Sequence, residues 1–547
     1  MHTKGEKTIG FVRRQLRQST PACASLALSS LSLPLNLKMT SSFSSILKTV
    51  SENVAPTKAV VTGKWPTWLR GGRLLRVGPA MFDVGRSSLQ HWFDGLAMIH
   101  SFDFADDSDD VTYTGRLLET DIYRNSIAAD RLVGNVFGTR AITSDPCQST
   151  FGRFFSYFSQ VFQGVLHRDN TNVNIVPSSD EKGAKWLALT EIPSVWRVDP
   201  ESLDAEKRFN VVGSNPELKR MVKMTAHPHT ASDGSMYNVG IIPGRKSFYV
   251  IFKTNVTESG EKYASDLICS LPADDGLSYY HSFGITDRYF IFVESPLKLS
   301  LPKLALERFH RQSLADCMYW VDDKPSRFRI VDRETNKEVV DVTYEAEPFF
   351  AFHHANAFED DANRRLVVDM VCYPNGKSTV NSLFLDELKR GNRDDEAKGS
   401  FRRFFLPLDA TGVTKIKSEV LSDFHSLELP RINECHNGRL YRFAYGLGLS
   451  SPSADFLDSL VKLNTETKET RVFSEKGTFA SEPVFVRAPD SKSEDDGVIL
   501  SVFLSGNPDE KKPFLVILDA ASFKVIARAE VTCRIPTTFH GNFMSAK

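Results

Sequence analysis

The chain carries almost no net charge: 67 Lys and Arg stand against 68 Asp and Glu, a formal balance of -1. The basic excess or basic face of a nucleic-acid binder is missing, so no nucleic-acid partner is expected. Cysteine is sparse. Seven are scattered over 547 residues with no C-x-x-C pair, which excludes a zinc ribbon and offers no disulfide framework. Reduced thiols in an intracellular protein are the simplest reading. No apolar run approaches 18 residues, so no transmembrane helix is expected. G-x-x-x-x-G-K-S/T, H-E-x-x-H and G-x-S-x-G are absent too. The nearest Gly-rich stretch, Gly71-Gly72-Arg73, does not open a helix, and a phosphate cofactor is not indicated.

Phenylalanine, by contrast, is abundant: 39 Phe beside 14 Tyr and 6 Trp. Phe buries a large area and has no polar handle. The excess signals either an aromatic core or an apolar cavity.

Residues 1–52 read as a disordered leader. Up to residue 51 they hold Lys4, Lys7, Arg13, Arg14, Arg17, Lys38 and Lys48 against the single acid Glu6, and Ser is dense from Ser25 to Ser45. That is the composition of a mitochondrial transit peptide, and equally of a plain leader. Met39 is an alternative start. A secretory signal fits poorly, because Arg13 to Gln18 interrupts any apolar core. The expected compartment is intracellular: cytoplasmic with peripheral membrane contact, or mitochondrial if residues 1–50 are a transit peptide.

From about Val60 onward, short strands of Val, Ile, Phe and Tyr alternate with Gly, Pro, Asp and Asn. An apolar strand ending in Asp or Asn recurs at Asp199, Asp332, Asn464 and Asp519. These side chains close turns by bonding the backbone two residues on. The positions lie 133, 132 and 55 apart, and the long gaps are about twice a 66-residue unit. The expectation is all-β and repeated, of propeller type, with residues 53–547 forming one domain.

Two segments break the pattern, about 144–166 and 295–312. In the first, Phe151, Phe154, Phe155, Phe158, Val161, Phe162 and Val165 share one helical face. The second is Leu-rich, with Leu297, Leu301 and Leu304 beside Lys298, Lys303 and Arg308. Each either packs on the sheets or forms an interfacial patch where a monotopic protein rests on a membrane. In the latter case Cys147 is a candidate for palmitoylation.

Four histidines sit in apolar, strand-like settings: His227, His281, His353 and His540. A buried imidazole needs a partner for each nitrogen, and a metal with an acceptor behind it supplies both. Their spacings of 54, 72 and 187 match no local ligand rule, so a satisfied core histidine remains the alternative at each position. Glu191, Glu428 and Glu482 are isolated acids in apolar runs. They read either as partners of such histidines or as acids on an edge strand.

Taken together, the segments GRLLRVGP, HWFDGLAMIHSF, AHPHTASDGSMYNVG, YYHSFGITDRYFIFVESPL, FFAFHHANAFED, LELPRIN, FAYGLG, SEPVFV and FHGNF resemble the carotenoid cleavage oxygenase family. The likeness is to its animal branch, the β-carotene oxygenases and the retinal pigment epithelium isomerohydrolase. The segments run in family order over about residues 55 to 545. SDPCQSTFGRFFSYF resembles a loop of the animal members, with Gln148 where they usually carry Lys.

The resemblance implies a seven-bladed β-propeller with a helical cap over its top face. It implies a non-haem Fe(II) held by His227, His281, His353 and His540, with Glu191, Glu428 and Glu482 behind the ligands. His227 and His353 are preferred to His229 and His354 by the family pattern. The implied reaction is O2-dependent cleavage of a C=C bond of β-carotene or a related carotenoid, central (15,15′) or eccentric (9′,10′). No organic cofactor is implied. Phe151 to Val165 and Leu297 to Phe309 would then form the membrane-resting mouth of a substrate tunnel. A retinoid isomerohydrolase with the same ligands is the alternative within the family, and a non-catalytic carotenoid-binding propeller the alternative outside enzymes. Phe93, Phe283, Phe352, Phe358, Phe539 and Phe543, which lie in the signature motifs, are expected as tunnel walls.

Overall fold

A computed structural model describes residues 42–546, apart from 135, 141–168, 181–182, 214, 257–262, 308–311, 392–394, 423–425, 452–453, 455 and 508. Seven sheets of four to six strands account for most of it, antiparallel except where Val342–Ala346 runs parallel to Gly412–Lys415. They are the blades of a β-propeller, in agreement with the all-β repeat expected from the sequence.

The turn residues behave as their chemistry requires. Asp199 Oδ1 accepts the N–H of Glu201 and of Ser202 at 3.0 and 2.8 Å. Asp332 does the same for Glu334 and Thr335, Asn464 for Glu466 and Thr467, and Asp519 for Ser522. Each closes a turn between neighbouring strands of one blade, in the second, fourth, sixth and seventh blades respectively. The gaps of about twice 66 residues thus span two blades, and the gap of 55 spans one.

The ring is closed from both directions. In the first blade, strand Arg73–Met81 pairs with Leu96–Phe104 on one side and with His540–Met544 on the other, Val77 standing opposite His540. Nearer the N-terminus, Val54–Lys58 edges the first blade, while Val60–Gly63 pairs with Lys524–Glu530 of the seventh. A single residue, Ala59, divides two strands that serve different blades, so this segment latches the ring.

The folded region begins earlier than the expected leader boundary at 52. Ser42–Ile46 is a short 3-10 helix, with Phe43, Ile46 and Leu47 buried. The Phe43 ring stacks on Phe456 at 3.8 Å. Ser-rich flanks masked three core residues. Residues 1–41 lie outside those described. So do Cys147 and the face of Phe151, Phe154, Phe155, Phe158 and Phe162.

The Leu-rich segment also differs from expectation. Leu297 is fully buried in strand Leu297–Leu299, paired with Met318–Trp320. Lys298 is buried as well, donating to Ser278 Oγ at 2.8 Å. Neither can face a lipid surface. The alternation Leu-Lys-Leu is that of a buried strand whose lysine finds internal acceptors. Leu301, at 37% exposed, opens helix Leu301–Glu307, and Leu304 packs partly on the core. Among the described residues no helix is long and apolar enough to cross a membrane.

Candidate metal centre

One residue from each blade converges on the propeller axis. His540 comes from the first blade, His227 from the third, His281 from the fourth and His353 from the fifth. Glu191, Glu428 and Glu482 come from the second, sixth and seventh. Their wide sequence spacings follow directly: each blade delivers one side chain.

The ligand-capable nitrogens of the four histidines all lie within 4.8 Å of one another. Metal–imidazole bonds of about 2 Å require a spread of this kind. The rings stand 4.5 to 5.2 Å apart, most of them steeply inclined. Nε2 of His227 and Nε2 of His281 approach to 2.9 Å. Nε2 of His353 is buried without a hydrogen-bond partner among the described residues, a costly arrangement unless something else occupies it. Burial pushes His227 well below its ordinary value, lowers His540, and brings His281 down to about 4, against the opposing pull of Glu191. Imidazoles so disposed are neutral at neutral pH, as a metal ligand must be. The donor set fits a transition metal of borderline softness.

The three carboxylates fix the tautomers. Nδ1 of His281 donates to Glu191 at 2.9 Å, Nδ1 of His353 to Glu428 at 2.7 Å, and Nδ1 of His540 to Glu482 at 2.7 Å. An ionised carboxylate can only accept, so each Nδ1 carries the proton and each Nε2 presents a lone pair to the axis. Burial alone would raise the Glu428 carboxyl. His353, Tyr373 and the Leu429 N–H overcome it and hold the group at about 2. Glu482 is likewise held at about 2, by His540, Arg431 and Arg76 against burial. Burial of Glu191 is outweighed by Lys223 and His281, which hold it below the usual carboxylate range.

Local sequence explains the aim of each group. Strand Phe350–Asp360 carries irregular register on both sides of His354, and such bulges re-aim side chains. His353 turns to the axis, while Nδ1 of the adjacent His354 meets Ser282 Oγ at 2.8 Å. His229, the other alternative, is occupied by Phe283 O and by Asn437. Glu428 sits in a strained turn: Ser426, Leu427 and Leu429 all have φ near +50°, a conformation costly for such residues and typical of functional positions.

The sequence did not single out the partners of the carboxylates. Tyr279 donates to Glu191, Tyr373 to Glu428, and Lys223 pairs with Glu191 at 3.0 Å. Arg76 and Arg431 approach Glu482 at 4.0 and 3.7 Å. A polar residue inside an apolar run was the available signal, as in VKMTAH and VCYPN.

An apolar cavity opens beside the histidines. Its walls include Trp92, Phe93, Phe352, Phe456 and Phe539 together with His281, His353 and His540. Of the phenylalanines expected as tunnel walls, Phe93, Phe352 and Phe539 lie here. The other three pack elsewhere, Phe283 against His229, Phe358 against Tyr441 and Phe543 against Phe104.

A propeller whose axis gathers four histidines, three of them backed by carboxylates, defines a class of axial-site β-propeller proteins. The family model described as RPE65, retinal pigment epithelial membrane protein, matches residues 47–545. The chain belongs to this RPE65/carotenoid oxygenase family. It is 35% identical to a mitochondrial carotenoid-cleaving dioxygenase of Macaca fascicularis, over 91% of this chain and 94% of the relative. It is also 35% identical to a beta,beta-carotene 15,15′-dioxygenase of Rattus norvegicus, over 90% of each. A solved mutant of Synechocystis apocarotenoid oxygenase shares the fold, with TM-score 0.72 and 23% identity over 92% of this chain and 98% of that one.

Proposed function

We propose that the chain is a non-haem Fe(II) dioxygenase that cleaves one C=C bond of a carotenoid with O2. The carrying observation is the four-histidine cluster opening onto an aromatic-walled, apolar cavity. The kinship with carotenoid dioxygenases supports the substrate class. His227, His281, His353 and His540 would hold the iron, which supplies O2 activation when bound. The balance is simple: the double bond and O2 are consumed, and each carbon leaves as a carbonyl with one oxygen atom. No further reductant is needed.

The protein's own part is positional. Glu191, Glu428 and Glu482 hold three imidazoles in one tautomer. The phenyl and indole walls exclude water and seat a rigid polyene by shape alone, which selects the bond presented to the centre. The cavity offers few polar groups to a ligand, as suits a hydrocarbon. Because a polyene partitions into lipid, the reading includes peripheral membrane contact. Exposed Leu301 beside Lys303 is consistent with it. A mitochondrial location is the reading of the Arg- and Ser-rich leader, supported by the mitochondrial relative.

The test is expression in bacteria that accumulate β-carotene, with chromatography of the products. Retinal marks central cleavage; a long apocarotenal with ionone marks eccentric cleavage. Undiminished colour without product from an iron-loaded protein would overturn the reading for that substrate, and a retinyl-ester assay would then decide for isomerohydrolysis.

A further inference from the structure

The three carboxylates behind the histidines are not equivalent in charge. Glu191 Oε1 accepts both the Nδ1–H of His281 at 2.9 Å and Nζ of Lys223 at 3.0 Å. Lys223 is itself buried, and its ammonium also lies 4.8 and 4.9 Å from the ring centroids of Tyr279 and Tyr280. Glu482 faces two guanidinium groups, but at 3.7 and 4.0 Å, outside direct hydrogen-bond contact with its carboxylate. Glu428 has no Lys or Arg ion pair among the described residues; it is satisfied by His353, Tyr373 and the Leu429 N–H. A cation thus touches the carboxylate directly at Glu191, two stand farther off at Glu482, and none among the described residues pairs with Glu428.

Burying an ammonium is costly unless something requires it. Glu428 demonstrates that a carboxylate here is satisfied by an imidazole N–H, a tyrosine and a backbone N–H alone. Glu191 already has the first two. Lys223 stands where Glu428 has the neutral Leu429 N–H, so a neutral donor would have sufficed there. What it adds is a positive charge directly against the carboxylate of one ligand arm, where low local dielectric makes charge effective.

We propose that Lys223 is a positioning residue that discharges the Glu191–His281 arm, makes His281 less electron-rich than the Glu428-linked His353, and thereby holds the metal in its reduced state. Glu428–His353 is then the one uncompensated anionic arm. The inference rests on the iron reading of the preceding section.

The experiment uses the full chain loaded with Fe(II), with a redox titration followed by the electron paramagnetic resonance of the ferric form. Lys223→Met should move the ferric/ferrous equilibrium tenfold or more toward ferric, a fall of about 59 mV for a one-electron couple. Glu191→Gln should move it in the opposite direction. The double variant should return toward the wild-type value, because the charges removed cancel. Lys223→Arg should keep the wild-type potential. A purely structural lysine would show none of this sign pattern. Should Lys223→Met not fold, Lys223→Gln is read in the same way. An unmoved or raised potential in the neutral variant overturns the inference while leaving the oxygenase reading intact. A wild-type chain that takes up no iron overturns both.

Discussion

Nδ1 of His353 donates to Oε2 of Glu428 at 2.7 Å, although 75 positions separate the two residues. The bond joins the fifth blade to the sixth at the axis, and the acceptor is the carboxylate without a Lys or Arg ion pair among the described residues. It sets both the proton location on His353 and the direction of its other nitrogen. Glu428→Gln keeps the shape but replaces one acceptor oxygen with a donor. We expect metal affinity or turnover to fall by about 10- to 100-fold, with a smaller effect on thermal stability. Unchanged turnover would exclude the orienting role.

The ligand assignment is tested most directly at His281. Its Nε2 lies 2.9 Å from that of His227, so removing it opens the cluster on one side. His281→Ala should lose both iron loading and activity, measured as bound iron per chain and as polyene consumed. Iron content at the wild-type level would show that His281 is not a ligand.

Gly446 allows the strained turn before Glu428 to exist. A Cβ there would lie 2.7 Å from Leu427 O and 2.9 Å from Glu428 O, closer than real contacts allow. Gly446→Ala must push that backbone away. We expect a loss of about 1–3 kcal/mol in stability, accompanied by weaker metal binding. Thermal denaturation with and without added iron separates the two effects. A variant with wild-type stability and metal content would mean that the turn yields without cost.

Asp94 gives a pH dependence away from the four axial histidines. Buried, and one half of a capping box with His91, it accepts from His91 N–H, Gly138 N–H and Thr139 Oγ. Burial raises its pKa from 3.8 to about 6. The folded chain therefore binds this proton more tightly than the unfolded one. The stability gained is complete below about pH 4 and lost as pH rises through about 6. Its size is about 3 kcal/mol. Asp94→Asn should remove that slope, so that the variant gains on the wild type between pH 4 and pH 7 in denaturant titrations. Parallel curves would refute it.

Much of the propeller was legible because turn chemistry is local. Asp199, Asp332, Asn464 and Asp519 signal themselves by residue type, and their long gaps give away a repeat, though the number of blades came from the family resemblance. Ring closure was not legible, since the pairing of Val77 with His540 joins strands more than 400 positions apart. The histidines stood out only as polar groups in apolar strands. What distinguishes His353 from His354 is a pair of register shifts, and register belongs to the sheet rather than to one strand. Leu297 misled for a related reason. An apolar residue beside a lysine suggests an interface, yet here the ammonium of Lys298 is satisfied inside the protein by Ser278.

Because each blade lends one residue to the axis, an ion bound there would act as a keystone. Its binding free energy would stabilise the closed ring as a whole, and by linkage a loosened ring would hold it less tightly. A substitution far out between two blades, touching nothing at the centre, would register first as a leak of metal. The same coupling makes metal content a gauge of whether the whole ring has closed.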